Sequence, residues 1–345
     1  MLVRGLRQTG DQRDEDRITG DECILCCAEH GCVHRRLEHC RIVDRAERCR
    51  CRRFAAQGAT PGGGGADVLA RIMAERMRIS LGQSIVIENV TGGNGTIGVG
   101  RTARAAPDGY TIDMGQFSSH VVPGAITNLR YDAERDFEPV GGLGRLPVLL
   151  YAKKTMPGND LQELIAWLKA NPGKASHGNV TVTMHAFAAL FQKETGTQFQ
   201  LVPYRGEAPA MQDLLAGHID LVWTGPNSLM HVRSGGIKAY LVTAKDRLSI
   251  APNIPTAAEV GLPAFTFSPW WGMFAPKGTP KTVIEKLNGA AVEALADPVV
   301  RQRLASLEMD IFPPSEQTPA SLGLLVKSDI EKWWPIIKAA GIKDE

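Results

Sequence analysis

From Pro61 onward, short apolar runs alternate with stretches whose apolar residues recur every three or four positions, the pattern of strands feeding helices in an α/β protein. Leu69, Ile72, Met73 and Met77 place a helix over 68–81. Runs 84–89, 110–114, 146–152, 174–177, 199–203, 219–223 and 237–243 read as strands. Helices are expected over 97–106, 160–170, 185–195, 208–216, 280–295, 298–307 and 319–340, with Pro107-Asp108-Gly109 and Asn171-Pro172-Gly173 as breakers. The apolar run 146–152 leaves one domain for another, and 268–276, carrying Trp270 and Trp271 as junction packing, reads as the return. The predicted division is 54–150 plus 270–345 for the first domain and 151–269 for the second.

Between strand and helix the chain repeatedly places glycines and short hydroxyl residues. Thr91 to Gly98, TGGNGTIG, is the densest case, and it suits a small anion: glycines let the backbone approach, and a helix start offers unpaired N–H groups. The same stretch fits a second chemistry. Gly93, Gly95 and Gly98 satisfy G-x-G-x-x-G, and Asp113 stands 20 residues after Gly93, where a ribose-binding acid of a nicotinamide-dependent oxidoreductase would stand. A ligand-free structural turn is the third reading. Pro61-Gly62-Gly63-Gly64-Gly65-Ala66-Asp67 is a further glycine turn without the Lys-Ser/Thr of a P-loop, and Asp67 suits a helix cap or first-turn acid.

Ser118 and Ser119 follow the 110–114 strand, either as hydroxyl donors to a ligand or as caps, and His120 reads as a surface loop histidine. Ser176, Gly178, Thr181, Thr183 and His185 form another anion-type loop, with His185 at the expected helix start. No acid partner or Gly-x-Ser-x-Gly elbow accompanies Ser176 and His185, so nucleophilic catalysis is not expected there. Tyr204-Arg205 and Thr224 end two further strands, and the Arg205 fork suits a carboxylate.

Composition separates the first 53 residues from the rest. They hold all seven cysteines, 12 Arg and 10 acidic residues, whereas the remainder carries 27 residues of each sign. That balance argues against a nucleic-acid module. Cys23-x-x-Cys26 with His30, His34 and His39 could be a zinc module, or the segment could be a disordered arm. A stretch rich in Arg, Cys and His, without Lys, followed abruptly by patterned sequence, is read instead as translation out of frame. No apolar run approaches the ~18 to 20 residues that cross a bilayer, and no secretory leader is visible.

From Pro61 to Ile342 the chain resembles the solute receptors of tripartite tricarboxylate transporters, the TctC or Bug type. PGGGGADVLAR, the 91–98 turn, APDGYT, YDAERDFEPV, LVPYRGEAPAMQDLLAGHIDL, IPTAAEVGLPAF, WWGMFAPKGTP and IIKAAGIK carry the resemblance in order. It implies a periplasmic binding-protein fold of type 2, two α/β domains around a ligand cleft, with no enzyme activity, cofactor or metal. Its implied partners are a small carboxylate and the permease subunits of the membrane transporter, for a periplasmic monomer. By position it implies ligand contacts at Gly62, Gly63, Gly64, Gly65 and Asp67, at Gly92, Gly93, Asn94 and Gly95, at Ser118 and Ser119, at Ser176, Gly178, Thr181, Thr183 and His185, and at Tyr204, Arg205 and Thr224. This chain departs from the family at Val180-Thr181, one residue longer than usual, which leaves the register of Thr181 and Thr183 open. It also departs at Arg48 to Arg53, where the family has an apolar first strand; so basic a run is not expected to form one.

Overall fold

The structure, a computed structural model, describes residues 52–56 and 65–342. Two sheets organise them. The first is built from β1 (Arg52–Ala56), β2 (Ile85–Asn89), β3 (Thr111–Gln116), β4 (Phe137–Arg145), β10 (Trp270–Pro276) and β11 (Asp310–Ile311), in the order β11-β4-β10-β3-β1-β2. The second contains β5 (Leu149–Lys153), β6 (Ser176–Asn179), β7 (Gln200–Pro203), β8 (Leu221–Thr224) and β9 (Ile237–Val242), in the order β7-β6-β8-β5-β9.

Helix α1 (Gly65–Leu81) turns Leu69, Met73 and Met77 onto the first sheet, where they meet Ile112, Met114 and Met273, and α9 (Lys281–Ala296) adds Leu287 and Ala291 to the same cluster. Helices α2 (Thr96–Ala103), α3 (Phe117–His120) and α4 (Pro123–Ile126) follow, the first two joined to their strands by turns of six and zero residues. In the second half α5 (Leu161–Ala170), α6 (Val182–Thr195), α7 (Glu207–Ala216) and α8 (Leu229–Arg233) cover the sheet. Helix α10 (Pro298–Ser306) opens on Asp297, whose carboxylate accepts from Val299 N–H at 2.9 Å. Helix α11 (Pro319–Ala339) packs Trp333 against Phe117 from the first half and Phe187 and Phe267 from the second, with centroids 5.0–5.6 Å apart. A fully buried aromatic of this kind contributes about 1.5–3 kcal/mol, so the halves share one core on this side.

Two segments carry the chain between the sheets, 146–148 outward and 266–269 back. They are tied together, Leu146 N–H donating to the Pro269 carbonyl at 2.9 Å. Trp270, entering β10, is 1% exposed and donates its indole N–H to Asp329 Oδ2 of α11 at 2.7 Å. The pair joins the return segment to the helix that spans both halves.

Two expectations change. Arg52–Ala56 does form a strand, pairing in parallel with β2 (Phe54 opposite Ile87) and β3 (Phe54 opposite Ile112). The two arginines occupy only its first two positions, and Phe54-Ala55-Ala56 supplies the apolar remainder. The long strand β4, FEPVGGLGR, is absent from the expected elements, and its Pro and three glycines are residues that strands disfavour. The glycines are there for close approach: a Cβ at Gly141 would stand 2.6 Å from the Gln317 carbonyl oxygen, and one at Gly144 2.7 Å from that of Asp310.

Candidate functional site: a cleft bounded by strand ends

Register alone locates the cleft. β1, β2 and β3 run parallel, and β10 runs against β3 with Trp271 opposite Gln116, so the ends of those three strands lie where the return segment arrives. β4 ends at the same edge, Arg145 opposite Trp270. Across the tie, Leu149 at the start of β5 pairs with Thr224 at the end of β8, and β6 and β7 run parallel to β8. The carboxyl ends of the parallel strands of both sheets therefore lie at the crossovers, the position where open α/β sheets take ligands.

On the first side, Gly93–Gly95 forms a single 3-10 turn that delivers the chain into α2. Gly92, Gly93 and Gly95 adopt φ of 113°, 54° and 91°, the left-handed region open to glycine, and Gly95 N–H closes the turn on the Gly92 carbonyl at 3.0 Å. Asn94 lies within it. A Cβ on Gly95 would come within 3.2 Å of Ser119 Cβ, so the turn rests on the segment that follows β3. There Ser119 is buried, its hydroxyl accepting from Gln116 N–H and directed at the Gln116 carbonyl, both at 3.2 Å, while Ser118 is half-buried. Gly65 opens α1, and Asp67, 6% exposed, accepts from Asn89 Nδ2 at 3.0 Å and from Arg71, which fixes α1 to the end of β2. Gly62, Gly63 and Gly64 lie outside the described residues, as do the readings placed on 1–51, the cysteine cluster included.

On the second side, Thr181 caps α6, its hydroxyl accepting from Met184 N–H at 3.2 Å. The helix starts at Val182, three residues before the expected position, so His185 lies within the first turn rather than at the start; Thr181 is the better N-cap and takes that role. Thr183 is 4% exposed, and neither its hydroxyl nor Asn179 Oδ1 at the end of β6 has a hydrogen-bond partner among the described residues. Asn179 was missed in the sequence; its signal was its place at a strand end before a hydroxyl-rich loop. Thr224, 3% exposed, ends β8. Arg205 is exposed at the turn into α7. Tyr204 points along α7, donating to Asp213 Oδ2 at 2.6 Å; burial and that carboxylate push its phenol up to about 12.

Two of the expected contact residues lie within β6 itself. Ser176 begins β6, three residues before the cleft end, and both its N–H (2.7 Å) and its hydroxyl (2.9 Å) donate to Asp220 Oδ2. Gly178 lies inside the strand, where a Cβ would stand 2.6 Å from Ile219 Cδ1. His177 between them is buried against Phe199, and burial, with His185 nearby, pushes its imidazole down to about 3.

The dinucleotide reading fails on geometry. Asp113 lies in the middle of β3, fully buried, its Oδ2 3.3 Å from His120 Nε2, and no ribose can reach it. His120 itself is 1% exposed and stacked on Phe274 at 4.2 Å, not a surface histidine: the 117–120 turn folds it back over β3. Among the described residues no His/Cys/Asp/Glu group could hold a metal ion, and no helix is long and apolar enough to cross a membrane. A groove of about 480 Å³ lined by Phe137, Pro139, Gly323 and Leu324 lies at the opposite end of β4 from Arg145, away from these loops.

A family model described as the tripartite tricarboxylate transporter family receptor, TctC, matches residues 69–342. The chain belongs to that family. This TctC-type receptor is 34% identical to BugT of Bordetella pertussis over 288 residues, 82% of this chain and 87% of that one. Among solved structures it is similar to MatC of Rhodopseudomonas palustris with bound malate, at 34% identity and a TM-score of 0.71, covering 84% of this chain and 99% of that one. An R. palustris protein with adipate matches at 29% identity and a TM-score of 0.71, covering 85% and 98%, and the periplasmic binding protein BugD at 34% and 0.70, covering 86% and 98%. The fold is thus that of a two-domain solute-binding protein, and the chain is a receptor of the tripartite tricarboxylate transporter family.

Proposed function

We propose that this receptor takes a small dicarboxylate between residues 54–150 plus 270–345 on one side and 151–269 on the other, and holds it without chemistry. One carboxylate meets the amides of the Gly92–Gly95 turn and the start of α2, with Ser118 beside them. The other end of the ligand meets Asn179, Thr183 and Thr224, with Arg205 at the rim and Thr181 holding the loop as the cap of α6. The observation that carries the reading is the left-handed glycine turn opening α2 at one wall while the buried Thr183 hydroxyl stands without a partner among the described residues at the other. An anion desolvated by amides already in place favours the closed arrangement of two halves hinged at 146–148 and 266–269, and a membrane permease would read that closure. The malate and adipate bound to the related R. palustris proteins set the ligand size to try first. We place the protein in the periplasm as a monomer.

Thermal unfolding against malate, adipate, tricarboxylates, acidic amino acids, aromatic acids and NAD(H) tests this. A ligand at 100 times its dissociation constant adds about 2.7 kcal/mol, a rise of several degrees at roughly 2–4 °C per kcal/mol. A shift with one carboxylate class is expected. A shift with NAD(H) alone, or with no carboxylate, removes the reading.

A further inference from the structure

The glycine turn of the first wall carries one side chain that the binding reading leaves unused. Ile97, in the first turn of α2, is 56% exposed. It is the apolar end of an otherwise charged stripe. Arg101 and Arg104 follow it at helical spacing along the outer surface of α2, both exposed, and Arg101 pairs with Glu88 Oε2 at 3.1 Å. The helix turns Gly98, Val99 and Thr102 inward instead. An outward stripe calls for polar residues throughout, and it is apolar only at the end that opens on the cleft.

The Ile97 side chain lies over the turn itself. A Cβ at Gly92 would stand 2.7 Å from Ile97 Cδ1, and one at Gly93 3.8 Å from Ile97 Cγ1. Gly92 is therefore glycine for two reasons, its φ of 113° and the room that Ile97 takes. Gly92 and Gly93 are themselves exposed. A carboxylate bound to the amides of this turn stands about 2.9 Å from their nitrogens, so the carbon that carries it comes beside Ile97. Across the cleft the Thr183 hydroxyl, 4% exposed and without a partner among the described residues, is left for the far end of the ligand.

We propose that Ile97 makes the first wall selective for a carboxylate carried on a bare methylene carbon, so that the ligand class is unsubstituted diacids such as succinate and adipate rather than diacids hydroxylated beside both carboxylates, such as tartrate. The inference rests on the receptor reading of the Gly92–Gly95 turn. Its physical basis is desolvation. A methylene buried against the Ile97 methyl groups gains about fourfold in affinity. A hydroxyl in the same place gives up its water and meets no partner, which costs roughly tenfold. Malate has one carboxylate of each kind and enters by its methylene end.

Two variants separate this role from that of a plug for the turn. Ile97→Val keeps the branch and removes Cδ1. Ile97→Thr has the shape of Ile97→Val with a hydroxyl in place of one methyl, so the two differ in polarity alone. Calorimetric titration of the full chain with succinate, adipate and tartrate reads the discrimination, and thermal unfolding reads the fold. The parent chain should bind succinate at least tenfold more tightly than tartrate. Ile97→Val should keep most of that ratio, and Ile97→Thr should shrink it by roughly fivefold or more relative to Ile97→Val, with the unfolding temperatures of the two within about 2 °C of each other. A succinate-to-tartrate ratio that is the same in both variants, or a parent chain that prefers tartrate, overturns the proposal and leaves the receptor reading standing. If none of the three diacids binds the parent chain, the receptor reading fails and takes the proposal with it.

Discussion

On the first side of the cleft the wall is backbone: Gly92, Gly93 and Gly95 at positive φ, closed by their own hydrogen bond and resting on a buried serine. On the second side it is side chains: Asn179 and Thr183 with oxygens that have no partner among the described residues, Thr181 spent on capping, Arg205 exposed. Amides in a fixed turn bind any carboxylate alike, because they read two oxygens and a charge. Hydroxyls and an amide side chain depend on what lies beyond that group. In the proposed binding mode the first wall sets the class of ligand, and the second chooses within it.

Breaking the first wall should do most. Gly95→Ala forces an L-residue to a φ of 91° and drives its Cβ to 3.2 Å from Ser119. A cost of about 1–3 kcal/mol is expected for the strain, visible as a lower unfolding temperature, and affinity for every carboxylate should fall together by more than tenfold. Calorimetric titration over a diacid series checks it. A loss confined to one ligand would reverse the roles of the two walls.

The second wall should answer selectively. Thr183→Val conserves shape and removes a hydroxyl that has no partner among the described residues, so stability should hold or rise slightly. If that hydroxyl meets the ligand, affinity falls about 3–10-fold, from a net hydrogen bond of about 0.5–1.5 kcal/mol, and more for some diacids than for others. Thr181→Ala should show the opposite balance, losing about 1 kcal/mol of stability with its cap and little affinity. Equal affinity losses in the two variants would mean that Thr183 acts only through packing.

The difference between the walls also explains what the sequence could show. The glycine turn was legible because a left-handed turn before a helix admits few residues, and Gly92, Gly93 and Gly95 are the signature itself. The family motifs made the fold class legible. The strand expected over 174–177 lies at Ser176–Asn179, and that two-residue shift turns the Ser176 hydroxyl to Asp220, because periodicity does not fix strand ends so closely. Asp113 looked like a ribose ligand by spacing alone; only the pairing of β3 with β1 and β10 buries it. His120 had no local signal, since its partner three residues into the strand and its aromatic cover from β4 and β10 come together only in the folded chain.

Arg205 should matter least and sharpen the comparison most finely. Its side chain is exposed where β7 turns into α7, so its charge acts through solvent. An exposed cation at the rim of an anion site raises the association rate more than it slows release, and salt screens it over about 10 Å at 0.1 M. Arg205→Ala should therefore slow association two- to threefold at low salt, with the difference gone by about 0.5 M salt and the dissociation rate unchanged. Stopped-flow binding at two ionic strengths separates these. A tenfold faster dissociation that persists in salt would place the guanidinium on the ligand itself, and the second wall would then share the carboxylate recognition assigned here to the first.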